Sequence, residues 1–125
     1  MSVVELTQDT FEATVTGNDI VLVDWWASWC GPCMQFGPVY EAASEQHPDV
    51  VFAKIDTEAE GELSGAAGIS SIPTLMAFRS GKLVYREAGA MNSTQFDKLI
   101  QAVRDINPAD LEAVDAEAEA EAEAE

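Results

Sequence analysis

Ile20-Val21-Leu22-Val23-Asp24-Trp25-Trp26-Ala27-Ser28-Trp29-Cys30-Gly31-Pro32-Cys33 is the stretch on which the fold turns. Its first seven residues form a nearly continuous β-branched and aromatic run, the pattern of a strand covered on both faces. After Cys33, the residues Phe36, Tyr40, Ala43 and His47 recur at helical spacing. A second buried-strand run then follows, Val50-Val51-Phe52-Ala53-Lys54-Ile55-Asp56. Strand, helix and strand in this order make a βαβ unit, whose strands lie parallel with a right-handed crossover.

The flanking sequence extends that unit. Glu58–Ala67 reads as a short acidic helix. Thr74–Arg79 and Lys82–Glu87 flank Ser80-Gly81, a two-residue hairpin signal that makes this pair antiparallel. Phe96, Leu99, Ile100 and Val103 form the stripe of a last helix, with Asn92 and Gln95 spaced as a capping box. Val3-Val4 reads as an edge strand and Thr7–Thr14 as a helix. The expected class is α/β, a central mixed sheet flanked by helices on both faces.

The chain has 125 residues and a formal net charge of −17, from six Lys plus Arg against 23 Asp plus Glu. Such a length fits one domain with a core of its own. Nucleic acid is excluded as a partner, because phosphate binding needs basic stripes, and an anionic membrane surface is disfavoured for the same reason. Eight of the acids, and no base, lie from Asn107 onward, where the chain ends in five Ala-Glu repeats. The remaining 15 acids against six bases give the body −9. The expected division is a domain over 1–106 and an acidic tail over 107–125, kept unfolded by repulsion among glutamates that leave no apolar stripe. Met1–Gln8 has neither a basic n-region nor an apolar h-region, so a cytoplasmic location is expected. The scarcity of cations would also suit work at high salt, where self-repulsion is screened.

Both cysteines stand between the first buried strand and its crossover helix. A thiol at a helix N-terminus meets unsatisfied N–H groups and the positive end of the helix dipole, which favours the thiolate. The i, i+3 spacing brings the second sulfur within bridging reach. Cys33 lies on the stripe of Phe36 and Tyr40 and should point inward, whereas Cys30 should stay at the exposed first turn. Cys30 is then the attacking thiol and Cys33 the resolving one. Pro32 suits the first turn, and Pro38 should kink the helix. Three other readings compete. A structural disulfide closing so short a loop would constrain little. Zinc needs four ligands, against two Cys and one distant His. Chance pairing fits poorly with the strand–turn–helix context. Redox chemistry is the reading the context favours.

The segment Val23–Cys33, with its Trp29-Cys30-Gly31-Pro32-Cys33 motif, resembles the active-site segment of thioredoxins. Phe52–Asp56 resembles the third strand of that family, Gly68–Leu75 its cis-proline segment, and Gly89-Ala90 its late glycine. The resemblance covers about Leu6 to Ile106. It implies a thioredoxin-like fold and a protein-disulfide reductant that cycles a Cys30–Cys33 disulfide. Asp24, the one charge in its strand, would take the proton of Cys33, with Lys54 as its charge partner. Pro73 would be cis and would place the backbone of Ile72 beside the disulfide. Trp29, Gly31, Ile72, Gly89 and Ala90 would form the rim where client proteins dock, while Trp25 and Trp26 pack in or near the core. The resemblance further implies no bound cofactor. NADPH and flavin would serve only through a partner thioredoxin reductase, and the chain would act as a monomer on disulfide-containing clients. Met34 departs from the pattern, because Lys or Arg commonly follows the second cysteine. His47, Met76 and Met91 read as packing or surface residues. Two rivals remain: an oxidase or isomerase on the same fold, and a non-enzymatic scaffold that binds through the acidic tail.

Overall fold

A computed structural model describes residues 2–110. The first four residues of the expected tail, 107–110, form a helical turn in which Asn107 Oδ1 accepts from the Ala109 N–H at 3.0 Å. The rest of the tail, 111–125 with its Ala-Glu repeats, lies outside the described residues. Strand β2 is Ile20–Trp26, and every residue in it except Trp26 is buried. It occupies the middle of the sheet because both of its edges are taken. β3 (Val51–Asp56) pairs with it in parallel, and β4 (Thr74–Arg79) pairs with it antiparallel. β1 (Val3–Glu5) adds to β3 in parallel, and β5 (Lys82–Ala88) adds to β4 antiparallel. The described order is β1-β3-β2-β4-β5, the mixed sheet expected. The hairpin at Ser80-Gly81 has φ of 53° and 83°, the paired left-handed geometry of a tight turn that matches strand twist.

Helix α2 (Gly31–Gln46) and helix α4 (Ser93–Arg104) cover one face, and α1 (Phe11–Thr16) and α3 (Gly61–Ala66) cover the other. Pleat alternation divides β2 between them. Ile20 and Leu22 join Phe36, Tyr40, Phe52 and Phe96 under α2 and α4, while Val21, Val23 and Trp25 join Val15, Ile55 and Met76 on the opposite face. Asp24 is in phase with Leu22, so its carboxylate falls on the α2 face, and Lys54, in phase with Phe52, falls there too. α4 begins with the expected capping box. Asn92 Oδ1 accepts from the Gln95 N–H at 2.8 Å, and the Asn92 N–H donates to Gln95 Oε1 at 3.1 Å. Such a cap stabilises a helix by ~1 kcal/mol.

Two helices start later than the sequence suggested, each because a side chain captures backbone groups. The Thr7 N–H donates to Thr10 Oγ1 at 2.9 Å, which closes a turn and delays α1 to Phe11. Asp56 Oδ1 accepts from the N–H of Glu58 at 2.9 Å, holding that segment as a turn ahead of α3. No helix among the described residues is long and apolar enough to cross a membrane.

Candidate active site

Cys30 is the N-cap of α2, with φ −89° and ψ 110°, and it forms a disulfide with Cys33 across a Cα–Cα distance of 5.2 Å. The N-cap conformation turns Sγ back toward the first turn, where it accepts from the Cys33 N–H at 3.2 Å. Pro32 sits in that turn, where an N–H would have no helical partner. No acidic side chain occupies the first turn.

Cys30 is more enclosed than expected. Its relative exposure is 5%, against 2% for Cys33, so it does not project from the first turn. The enclosure comes partly from the Ile72-Pro73 segment, whose Ile72 carbonyl oxygen lies 3.7 Å from Cys30 Sγ. The Ile72–Pro73 peptide bond is cis, as the resemblance implied. Pro73 is fully buried, and its carbonyl accepts from the Gly89 N–H at 2.8 Å. Gly89 holds φ of 111°, a conformation that side chains rarely adopt. A segment far along the chain thus lies against the disulfide at Ile72 and is hydrogen-bonded to Gly89 through Pro73. A Cβ on Gly31 would meet nothing within 4 Å, so the molecule leaves open space there.

Trp29 is 69% exposed, an unusual position for an indole, yet it is anchored. Its Nε1–H donates to Glu58 Oε1 at 2.7 Å. Sequence reasoning missed Glu58, which read only as the start of an acidic helix. The available signal was its place two residues past β3, at the same end of the parallel sheet as Trp29. Met34 is 47% exposed beside Cys33 in sequence, leaving an apolar side chain at this face.

Asp24 is 5% exposed, and burial pushes its carboxyl up to about 7 despite the opposing charge of Lys54. Its Oδ1 is buried with no hydrogen-bond partner among the described residues. Asp24, Cys33, Tyr40, Glu41 and Lys54 share the walls of a cavity of about 350 Å³. Tyr40 does not compete for the Asp24 proton site, because its hydroxyl donates to the Ala53 carbonyl at 2.7 Å. Lys54 Nζ rests 5.1 Å from the centroid of the Trp26 ring, so it acts on Asp24 by charge across the cavity. Trp25 is fully buried on the far face and Trp26 partly buried, as expected. Met76 is buried, and Met91 packs at the edge of the α4 core. His47 caps the end of α2, with its Nδ1 3.1 Å from Arg104 and its Nε2 3.6 Å from Asp97, away from the cysteines.

The arrangement therefore places a disulfide at a helix N-terminus, with a buried carboxyl group in the cavity behind Cys33 and the Ile72 carbonyl beside Cys30. The Thioredoxin family model matches residues 2–104. A Streptomyces coelicolor relative bearing a thioredoxin 2 name is 53% identical over 106 residues, covering 85% of this chain and 79% of its own. Thioredoxin C-3 of Corynebacterium nephridii is 41% identical over 96 residues, covering 76% of this chain and 66% of its own. Among solved structures, a mutant thioredoxin from Halobacterium salinarum superposes with a TM-score of 0.78 at 32% identity, covering 86% of this chain and 95% of that one.

Proposed function

The chain belongs to the thioredoxin family of protein-disulfide oxidoreductases, and from that premise we propose how its residues divide the reduction of a client disulfide. The Cys30 thiolate attacks one client sulfur, forms a mixed disulfide and expels the other client sulfur as a thiolate. Asp24, acting from the cavity, takes the proton of Cys33. The Cys33 thiolate then attacks Cys30 Sγ, closes the Cys30–Cys33 disulfide and releases the second client thiolate. Two electrons pass from the dithiol to the client, and the client thiolates take up two protons. Reduction of the closed disulfide by a separate reductase, a flavoprotein drawing on NADPH, returns the chain to its starting state. The chain itself holds no cofactor.

The observation that carries this reading is the N–H of Cys33 aimed at Cys30 Sγ from the first turn of α2. It supplies local stabilisation to a thiolate at the positive end of a helix, with no cation at position 34 to assist. Gly31-Pro32 between the cysteines adds no His or Arg to hold the reduced form, which favours a reducing couple over an oxidising one. The client lies as an added strand along Ile72, with Trp29, Gly31, Gly89 and Ala90 around it. The protein works as a monomer in the cytoplasm, in electron transport to client disulfides and in keeping cell thiols reduced.

A turnover assay tests this directly. With a chemical reductant supplied, wild type should reduce protein disulfides, Cys30→Ser should be inactive, and a deletion ending at Ile106 should match wild type. A wild-type protein unable to reduce disulfides would overturn the reading.

A further inference from the structure

We propose that Arg86 is a positioning residue for client binding, holding the 67–73 segment so that Ile72 presents its backbone to an incoming disulfide. This rests on the reading that the client pairs with Ile72 as an added strand. One end of the segment is tied to β5 and the other to Gly89, the residue that follows β5. At its start, Arg86 Nη1 donates to the Ala67 carbonyl at 2.6 Å, and Nη2 donates to the Gly68 carbonyl at 2.8 Å. At its end, the Gly89 N–H donates to the Pro73 carbonyl at 2.8 Å. Between these tethers lies Ile72, with its carbonyl oxygen 3.7 Å from Cys30 Sγ.

Strand phase explains how Arg86 reaches across. The β4–β5 register shifts between Ala77 and Phe78, so that Phe78 faces Leu83 while Ala77 faces Tyr85. Val84 and Tyr85 consequently both pack toward the α2–α4 core, where strict alternation would allow only one of them. Arg86 falls back in phase with Met76, its cross-strand partner, on the face where Ala67 and Ile69 pack. The two carbonyls it meets close the C-terminus of α3, the end of a helix where a cation is favoured. Gly68, at φ 68°, turns the chain so that successive carbonyls reach one guanidinium. A planar fork matches two such acceptors, whereas an ammonium is a single point charge.

The test compares full-length wild type, Arg86→Met and Arg86→Lys on two substrates under a chemical reductant. One is a peptide with a disulfide inside an extended segment. The other is a small aromatic disulfide with no peptide backbone to pair with Ile72. Arg86→Met should lower the peptide-to-small-disulfide ratio of kcat/KM about five-fold, mainly through KM. Arg86→Lys should recover part of that loss, and amide exchange at 69–72 should quicken in step. An unchanged ratio with faster exchange would make Arg86 purely structural and overturn the proposal, as would an equal loss on both substrates. If Arg86→Met does not fold, Arg86→Lys alone decides, by whether the ratio falls below that of wild type. Should wild type reduce neither substrate, the reductase reading fails separately. Unchanged exchange at 69–72 would then still overturn the role of Arg86.

Discussion

Asp24 and Lys54 are register partners on adjacent parallel strands, and both open into the cavity behind Cys33. Their relationship is unequal. Burial drives the Asp24 carboxyl up more than the Lys54 charge draws it down, leaving it at about 7. A proton can therefore be gained or lost near neutral pH, at a group in the wall that also includes Cys33.

The stability consequence has a definite sign. An unfolded aspartate titrates near 3.8 and the folded one near 7, so the native state holds the proton more tightly. The stabilisation is complete below pH 3.8 and is lost as pH rises through 7. About three pH units of displacement correspond to roughly 4 kcal/mol. Asp24→Asn should therefore melt higher than wild type at pH 8, with the difference vanishing near pH 4, while its disulfide reduction falls ~10²-fold. Equal melting of the two proteins at pH 8 would refute the burial cost.

Lys54→Met removes the one influence that lowers the Asp24 carboxyl. The midpoint of the pH–rate profile for disulfide reduction should move upward from about 7. The Trp26 contact is lost in the same variant, so Lys54→Arg is the control, since it keeps both the charge and the cation–π partner. A midpoint that stays put in Lys54→Met would show that Lys54 does not act on Asp24.

Much of this was legible in the sequence because period and context agree. The nearly continuous run Ile20–Trp26 announced a strand covered on both faces, and the strand–helix–strand order announced its parallel pairing with β3. Ser80-Gly81 announced a hairpin whose geometry only a few residue types adopt freely. What stayed hidden depended on contacts between distant segments. The resemblance placed the backbone of Ile72 beside the disulfide, but the degree to which Cys30 is enclosed, partly by that carbonyl 42 positions away, is encoded in no local pattern. Glu58 and Arg86 were invisible for the same reason, since each does its work on a residue of another element. The late starts of α1 and α3 reflect side chains of Thr10 and Asp56 competing for backbone groups, which propensity does not foresee.

Trp29 and Glu58 yield a local prediction. Both side chains are exposed, so Glu58→Ala should leave stability within about 0.5 kcal/mol of wild type. Losing the 2.7 Å bond should free the indole, seen as faster solvent exchange of the Trp29 Nε1–H and a raised KM for protein disulfides. Glu58→Gln keeps an acceptor and should retain most of the wild-type behaviour. An unchanged Trp29 N–H signal in Glu58→Ala would mean that the bond does not hold the ring.

Met34 leaves the first turn of α2 without a cation beside the couple. Met34→Lys should place one near Cys33 and Cys30, raising the rate of Cys30 alkylation in the reduced protein several-fold at pH 6 in low salt. Because position 34 is exposed, that gain should shrink toward nothing in molar salt. A gain independent of salt would point to a change in packing.

The surplus of acid extends the same reasoning to the whole molecule. A formal charge of −17 on 125 residues sets carboxylates against one another at low ionic strength. The described cations are partly committed, Arg79 to Asp19 and Arg104 to Asp49. Added salt shortens the range of the repulsion from roughly 30 Å at 0.01 M to roughly 3 Å at 1 M. The melting temperature should therefore climb between low and molar sodium chloride, and a deletion ending at Ile106 should climb less, since it sheds eight acids and keeps −9. Sodium chloride is the right salt, because sulfate would also strengthen apolar burial and confuse the two effects. A melting temperature that does not move with sodium chloride would show that the acids are spaced widely enough for water alone to screen them.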